Sequence, residues 1–228
     1  MKYIIIPARG GSKGIQDKNI QEVGGIPLVS WSIIHAEYIS TEEDKIIVSS
    51  DSEKILNLAK KYDVIGLKRP KYLSGDKVFT EPVMKHVLSK FNPDENDLVI
   101  LLQPTSPLRK KITIEETLRA VESNEADSAL TLKKDHLFFW KKASKYVKPL
   151  YKNRPRRQDM ESQLSETGSI YITKYKNFLK SGIRLSGNTK GIIAEPSESI
   201  DVDTYQDLQY VNLLSEDYLK EWEKELNI

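Results

Sequence analysis

No cysteine occurs anywhere in the chain, and histidine is scarce, with only three in 228 residues. Without cysteine there is no disulfide, no thiolate nucleophile and no cysteine-ligated metal site. His35, His86 and His136 lie far apart, without metal-ligand spacing, and each reads as a helix or loop residue. No apolar run approaches the ~18–20 residues of a membrane span, and the N-terminus lacks a signal-peptide pattern. A chain without a membrane partner, working in the cytoplasm, is therefore expected. Charge of one sign is lacking too: the net charge of +2 demands neither nucleic acid nor an anionic surface as partner. Internal repeats and low-complexity segments are absent.

What is there is an ordinary soluble composition, 30% charged and 39% hydrophobic. The length suits one α/β domain over residues 1–228, with room for a small insertion. Residues 2–19 read KYIIIPARGGSKGIQDKN. Tyr3-Ile4-Ile5-Ile6 has no helical period and predicts a strand buried on both faces. It breaks into Pro7-Ala8-Arg9-Gly10-Gly11-Ser12-Lys13-Gly14, where the glycines are expected to take positive φ and turn their N–H groups into an anion nest. Arg9, Lys13 and Lys18 set cations around the same loop, which suggests a phosphate site at the C-terminal edge of a parallel sheet. Neither G-x-x-x-x-G-K-[ST] nor G-x-G-x-x-G is present. Taken alone, such a loop is equally a solvated turn.

Downstream, strands alternate with helices. Gly24-Gly25 and Pro27 introduce a helix carrying Leu28, Trp31, Ile34 and Ile39, and residues 45–51 form a second strand. Asp51 or Ser52 caps the helix of Ile55, Leu58 and Ala59. Residues 64–67 form a third strand, ahead of Arg69-Pro70. Thr80 stands before the helix of Val83, Val87 and Leu88, as its N-cap or beside a ligand. Residues 98–102, LVILL, form a central strand that empties into Gln103-Pro104-Thr105-Ser106-Pro107-Leu108-Arg109. The helix of Ile114, Leu118 and Val121 and a strand over 128–132 follow. This is the pattern of an α/β fold, a doubly wound, mostly parallel sheet with helices on both faces.

The alternation stops over residues 133–157, where ten bases face one acid, Asp135, with Phe138, Phe139 and Trp140 interleaved. Such a segment binds nucleic acid by stacking and counterion release, or is a solvated hairpin. Near the end, Ser199-Ile200-Asp201-Val202-Asp203-Thr204 puts two carboxylates on one side of an extended chain. That pair suits a hard divalent cation such as Mg²⁺. Asp203 or Thr204 also opens a terminal helix through Leu208, Val211, Leu214 and Leu219, and residues 215–228 read as a charged, solvated tail.

Four elements, in order, resemble those of the CMP-sialic acid synthetases, the acylneuraminate cytidylyltransferases: IIPARGGSKG followed by KN, LLQPTSPLR, ETGSIYI and SIDVDT. The resemblance implies that CTP is held by Arg9, Gly10, Ser12, Lys13, Lys18 and Asn19, with Thr80 near the nucleotide. It implies that Gln103 meets the substrates, that Arg109 braces its loop, and that Arg157 and Tyr171 face the sugar acid. Arg9, Lys13, Asp201 and Asp203 would carry the chemistry, the two aspartates through Mg²⁺. The basic stretch, about 133–165, would be an insertion that pairs two subunits into a homodimer. Thr167 stands where the family has asparagine, and its proline-rich lead-in is lost over 160–165, which unsettles the sugar contacts. Sialate-using relatives carry bulky aromatics before the aspartates. Residues 185–194 have none, so a modified, legionaminate-like nonulosonic acid is expected to be used at least as well as N-acetylneuraminate. The alternatives are the eight-carbon acid KDO as substrate, or a non-catalytic nucleotide or RNA binder.

Overall fold

The computed structural model describes residues 1–159 and 162–226. The N-terminal half alternates as the sequence predicts. β1 (Lys2–Pro7) is followed by a two-strand turn, β2 (Glu22–Val23) and β3 (Ile26–Pro27), and by α1 (Leu28–Ile39). Then come β4 (Lys45–Ser50), α2 (Glu53–Lys61), β5 (Ile65–Lys68), α3 (Thr80–Leu88), β6 (Leu98–Leu102) and α4 (Lys111–Glu122). β7 (Ser128–Asp135) leads to a hairpin of β8 (Trp140–Ala143) and β9 (Tyr146–Pro149). The chain returns through β10 (Gln163–Lys174), α5 (Tyr175–Ser181), β11 (Thr189–Ile193), α6 (Tyr205–Glu221) and α7 (Glu223–Leu226).

Seven strands make one sheet in the order β11-β7-β10-β6-β1-β4-β5. All are parallel except β10, which runs antiparallel to both β6 and β7. β6 lies in the middle, and all five of its residues are buried, which is why its sequence is unbroken aliphatic. The period of two decides the layers. Ile4 and Ile6 of β1 pack with Trp31, Ile114 and Val211 on one face, while Tyr3 and Ile5 pack with Met84, Val87 and Phe178 on the other. Helices therefore cover both faces, as expected. β7 runs three residues further than the sequence suggested, because β10 pairs with it as far as Gln163–Asp135.

The C-terminal tail departs from expectation. Tyr218 and Trp222 are buried, Trp222 fully. Its indole N–H donates to the Arg109 carbonyl at 2.8 Å, and its ring stacks near His35 and Tyr38, with centroids 4.4 and 5.2 Å away. Val211, Ser215, Tyr218 and Trp222 recur at helical spacing and form a buried stripe that the dense flanking charges conceal. No helix among the described residues is long and apolar enough to cross a membrane.

Candidate active site

Because six of the seven strands run the same way, the loops after β1, β5 and β6 emerge along one edge of the sheet. Between them lies a cleft of about 290 Å³, lined among others by Arg9, Ser12, Lys18, Asn19, Thr80, Gln103 and Asp201. Residues far apart in sequence are thus brought together as expected, though several of them act differently from the sequence reading.

The glycine loop is not an anion nest. None of Gly10, Gly11 and Gly14 has positive φ, and the Gly10 N–H is spent on Asp51 Oδ1 at 2.8 Å. Gly10 and Gly14 exclude side chains for lack of space, whereas Gly11 stands in the open. A Cβ on Gly10 would lie 2.8 Å from that of Ser52, and one on Gly14 would collide with the Asp203 carbonyl. Asp51, read as a helix cap, instead props the loop. Ser52 is the N-cap of α2 and makes no side-chain capping bond. Asn19, buried, donates from its amide to the Arg9 carbonyl at 2.8 Å, fixing the same loop from its far side.

The cations are held by carboxylates. Arg9 Nη1 and Lys13 Nζ both contact Asp76, at 2.8 and 2.9 Å. Lys13 is highly exposed and stands at the rim, outside the cleft lining. Asp76 is held below its ordinary pKa, first by the Lys13 hydrogen bond and then by Arg9. Lys18, nearly buried, pairs with Asp203 Oδ1 at 2.8 Å. Sequence reasoning passed over Arg69, which is buried, lines the cleft and donates to the Ser49 carbonyl at 2.6 Å. Burial lowers its pKa to about 10, so it remains a cation. Its signal was its place, immediately after β5 at the ligand edge.

The paired aspartates flank Val202, which is fully buried and whose N–H donates to the Thr105 carbonyl at 2.8 Å. This bond ties the segment to the loop after β6. Asp201 keeps solvent access through the cleft mouth while protein surrounds it on most sides. That desolvation, helped by the charge of Asp203, raises its pKa above the ordinary carboxylate value, against a hydrogen bond from Thr105. Asp203 does not cap α6. Thr204 does, in a capping box with Asp207, which leaves both aspartates without a capping duty. Among the described residues no group of three or more His, Asp or Glu could hold a metal. The two aspartates still fit a hard cation that completes its shell with phosphate oxygens and water, and the Lys18 ammonium already sits against the pair as a positive charge.

Arg109 braces its loop, as expected. It is buried, and its donors reach Ser169 Oγ (2.9 Å), the Gln103 carbonyl (2.6 Å) and His35 Nδ1 (3.0 Å). Burial lowers its pKa to about 9, and burial with the Arg109 charge drives His35 well below its ordinary value, so the imidazole accepts as a neutral ring. Tyr171 is a core residue outside the cleft lining, and its hydroxyl donates to Glu166 at 2.6 Å. Thr80 lines the cleft but is not a cap: Phe79 precedes α3, and no side chain caps it. Thr167 is buried against Thr131, their hydroxyls 2.6 Å apart. Arg157 opens a 3-10 turn (Arg157–Asp159), and its side chain lies outside the described residues, as do residues 160 and 161 of the altered lead-in.

A mostly parallel sheet with a cationic cleft and paired carboxylates at its C-terminal edge has the make-up of a nucleotide-binding transferase. The chain belongs to the cytidylyltransferase family, whose sequence profile matches residues 3–224. It is 31% identical over 206 residues to N-acylneuraminate cytidylyltransferase A of Danio rerio, covering 87% of this chain and 47% of that protein. With CMP-N,N'-diacetyllegionaminic acid synthase of Legionella pneumophila it shares 33% identity over 215 residues, covering 88% of this chain and 90% of the other. The solved CMP:2-keto-3-deoxy-manno-octonic acid synthetase, complexed with CTP, superposes with a TM-score of 0.66 at 17% identity. That match covers 96% of this chain and 99% of the other, and it establishes the likeness of fold. The chain spans about half the length of the N-acylneuraminate cytidylyltransferase it matches.

Proposed function

We propose that this protein transfers the cytidylyl group of CTP to a sialic-acid-like nonulosonic acid, releasing pyrophosphate. The observation that carries the proposal is the meeting of the glycine loop, through Lys18, with the paired aspartates, through Asp203. One segment supplies cations suited to a triphosphate and the other supplies carboxylates suited to a metal and a base. The anomeric 2-hydroxyl of the sugar attacks the α-phosphorus of CTP. The new P–O bond forms as the bond to the bridging oxygen breaks, and pyrophosphate carries away that electron pair. Arg9, Lys13 and Lys18 neutralise the charge on the leaving group. One of the paired aspartates, Asp201 or Asp203, accepts the hydroxyl proton as general base.

Cytidylyltransferases of this kind generally depend on a divalent metal. Here Asp201 and Asp203 would hold Mg²⁺, which polarises phosphate oxygens when bound. Gly10, Ser12, Asn19 and Thr80 line or shape the CTP side, and Gln103 meets both substrates. Arg157 and Tyr171 belong to the sugar side, Tyr171 by supporting Glu166. The lack of aromatics over 185–194 and the likeness to a legionaminic acid synthase support a modified nonulosonate as substrate. We place the enzyme in the cytoplasm, where CTP is made.

The inserted segment, about 133–165, is proposed as a dimer contact on one nucleotidyltransferase domain, 1–228. Trp140, Val147 and Leu150 are each more than half exposed there, a cost that a twofold mate would remove. Arg154, stacked 4.5 Å over Phe138, stiffens the hairpin base.

The deciding experiment is pyrophosphate release from CTP and Mg²⁺ across a panel of 2-keto sugar acids. Turnover with nonulosonic acids supports the proposal, and turnover with KDO alone would reassign the substrate. Salt-sensitive RNA binding without turnover would remove the enzyme reading. A monomeric mass at micromolar concentration would remove the dimer.

A further inference from the structure

Beside the cleft stands a further basic group. Arg184 lies in the loop between α5 and β11, and its guanidinium stacks 4.5 Å over the ring of Tyr171. Its Nε faces Glu81 Oε1 at 3.4 Å, a weak ion pair with the residue next to the cleft-lining Thr80. Its Nη1 is buried and has no hydrogen-bond partner among the described residues. A buried guanidinium N–H without an acceptor is costly in a native protein and asks what it is kept for.

The loop is not loosely placed. The Ser186 N–H donates to Ser128 Oγ at 3.3 Å, and the Asn188 N–H to Asp127 Oδ2 at 3.0 Å. Leu185 packs into the second core layer. Arg184 is thus held by a stacked ring beneath it and anchored backbone after it, a preorganised donor. Its surroundings also limit the acceptor. Glu81, Glu166 and Asp201 all act on the Arg184–Tyr171 pair. Glu81 already supplies this arginine with a carboxylate, so a neutral oxygen suits the remaining donor better than a second carboxylate.

We propose that Arg184 is a specificity-determining residue whose free Nη1 donates to the carbonyl of an acylamino group on the sugar acid. It would then select acylamino-substituted sugar acids over polyhydroxylated ones. This rests on the function proposed above and adds a residue to it. The sugar's own carboxylate goes elsewhere, to the cations of the cleft. Selection follows because a site that keeps a donor for one acceptor leaves that donor unpaired with an analogue lacking it.

The test compares the wild type with Arg184→Met, which keeps the stem over Tyr171, and Arg184→Lys, which keeps a charge without the planar fork. Steady-state kinetics are measured with N,N'-diacetyllegionaminate, N-acetylneuraminate and KDO as probes, beside the thermal midpoint and the KM for CTP. Arg184→Met should lose on the order of 10- to 100-fold in kcat/KM on the acylated acids, mostly through KM. Whatever turnover KDO supports should be unchanged, as should the KM for CTP, and Arg184→Lys should be intermediate. Equal losses on acylated and non-acylated acids, or no loss on the acylated ones, would overturn the inference while leaving the function standing. A wild type that turns over no acylated acid overturns both.

Discussion

Lys18 Nζ and Asp203 Oδ1 are 2.8 Å apart although 185 residues of chain separate them. The contact joins the first loop of the sheet to the last segment before the terminal helix. The same closeness leaves no room for a side chain on Gly14, against the Asp203 carbonyl. Charge and close packing thus fix the paired carboxylates against the glycine loop before any substrate arrives.

Asp201→Asn and Asp203→Asn should each yield a folded protein whose kcat falls by on the order of 10²-fold or more. Because Thr204 and Asp207 form the capping box, neither change should weaken the start of α6. The measurement is kcat at saturating CTP and varied Mg²⁺, beside the thermal midpoint. Near-normal kcat in both variants would end the metal and base roles.

Asp76 holds both Arg9 and Lys13, so a triphosphate must take these cations from a carboxylate already bonded to them. Asp76→Asn should lower the KM for CTP by about two- to fivefold, as expected for exposed ion pairs. The gain should shrink with added salt. A higher KM would mean that Asp76 positions the cations rather than competing for them.

Stability should fall below neutral pH through His35. The native ring stays neutral, because burial and Arg109 push its pKa far down, while the unfolded chain titrates near 6.5. The unfolded state therefore binds the extra proton as pH drops. The stabilisation is complete above about 6.5 and is lost below it, at up to ~1.4 kcal/mol per pH unit. His35→Asn keeps an acceptor for Arg109 and should flatten that slope in urea denaturation at pH 7.5, 6.5 and 5.5. Equal slopes would show that the ring protonates in place.

Trp222→Ala should cost ~3–5 kcal/mol, the range for a fully buried large aromatic. Trp222→Phe should cost less, losing chiefly the hydrogen bond to the Arg109 carbonyl. A loss below ~1 kcal/mol for the alanine variant would return the tail to solvent.

The buried strands were legible because Ile4-Ile5-Ile6 and Leu98–Leu102 are unbroken aliphatic runs. Once the strands were placed, topology alone put the loops at one edge. The residues misread are those whose role depends on a distant segment's approach. Gly10 and Gly14 are small because Ser52 and Asp203 come close, not because of their own φ. Asp51 looks like any helix cap until Gly10 points at it. Trp222 sits among acids and lysines, so only its spacing from Val211 and Tyr218 reveals the buried stripe. Arg69 stands alone before a proline, and only its place just after β5 marks it for the ligand edge.

The reversed strand β10 has a consequence for how this molecule can be altered. A parallel successor to β7 would have to cross the sheet, but here Gln163 pairs directly with Asp135. The excursion between them has both feet on one bonded rung, at the end of the sheet where the cleft opens. Its length and surface can change without shifting the register of any strand, as with a hairpin turn exchanged for a longer one. The fold thus keeps an interchangeable part beside its ligand edge, the β8–β9 hairpin, where a new contact surface can be fitted while Arg157 and the catalytic frame stay as they are.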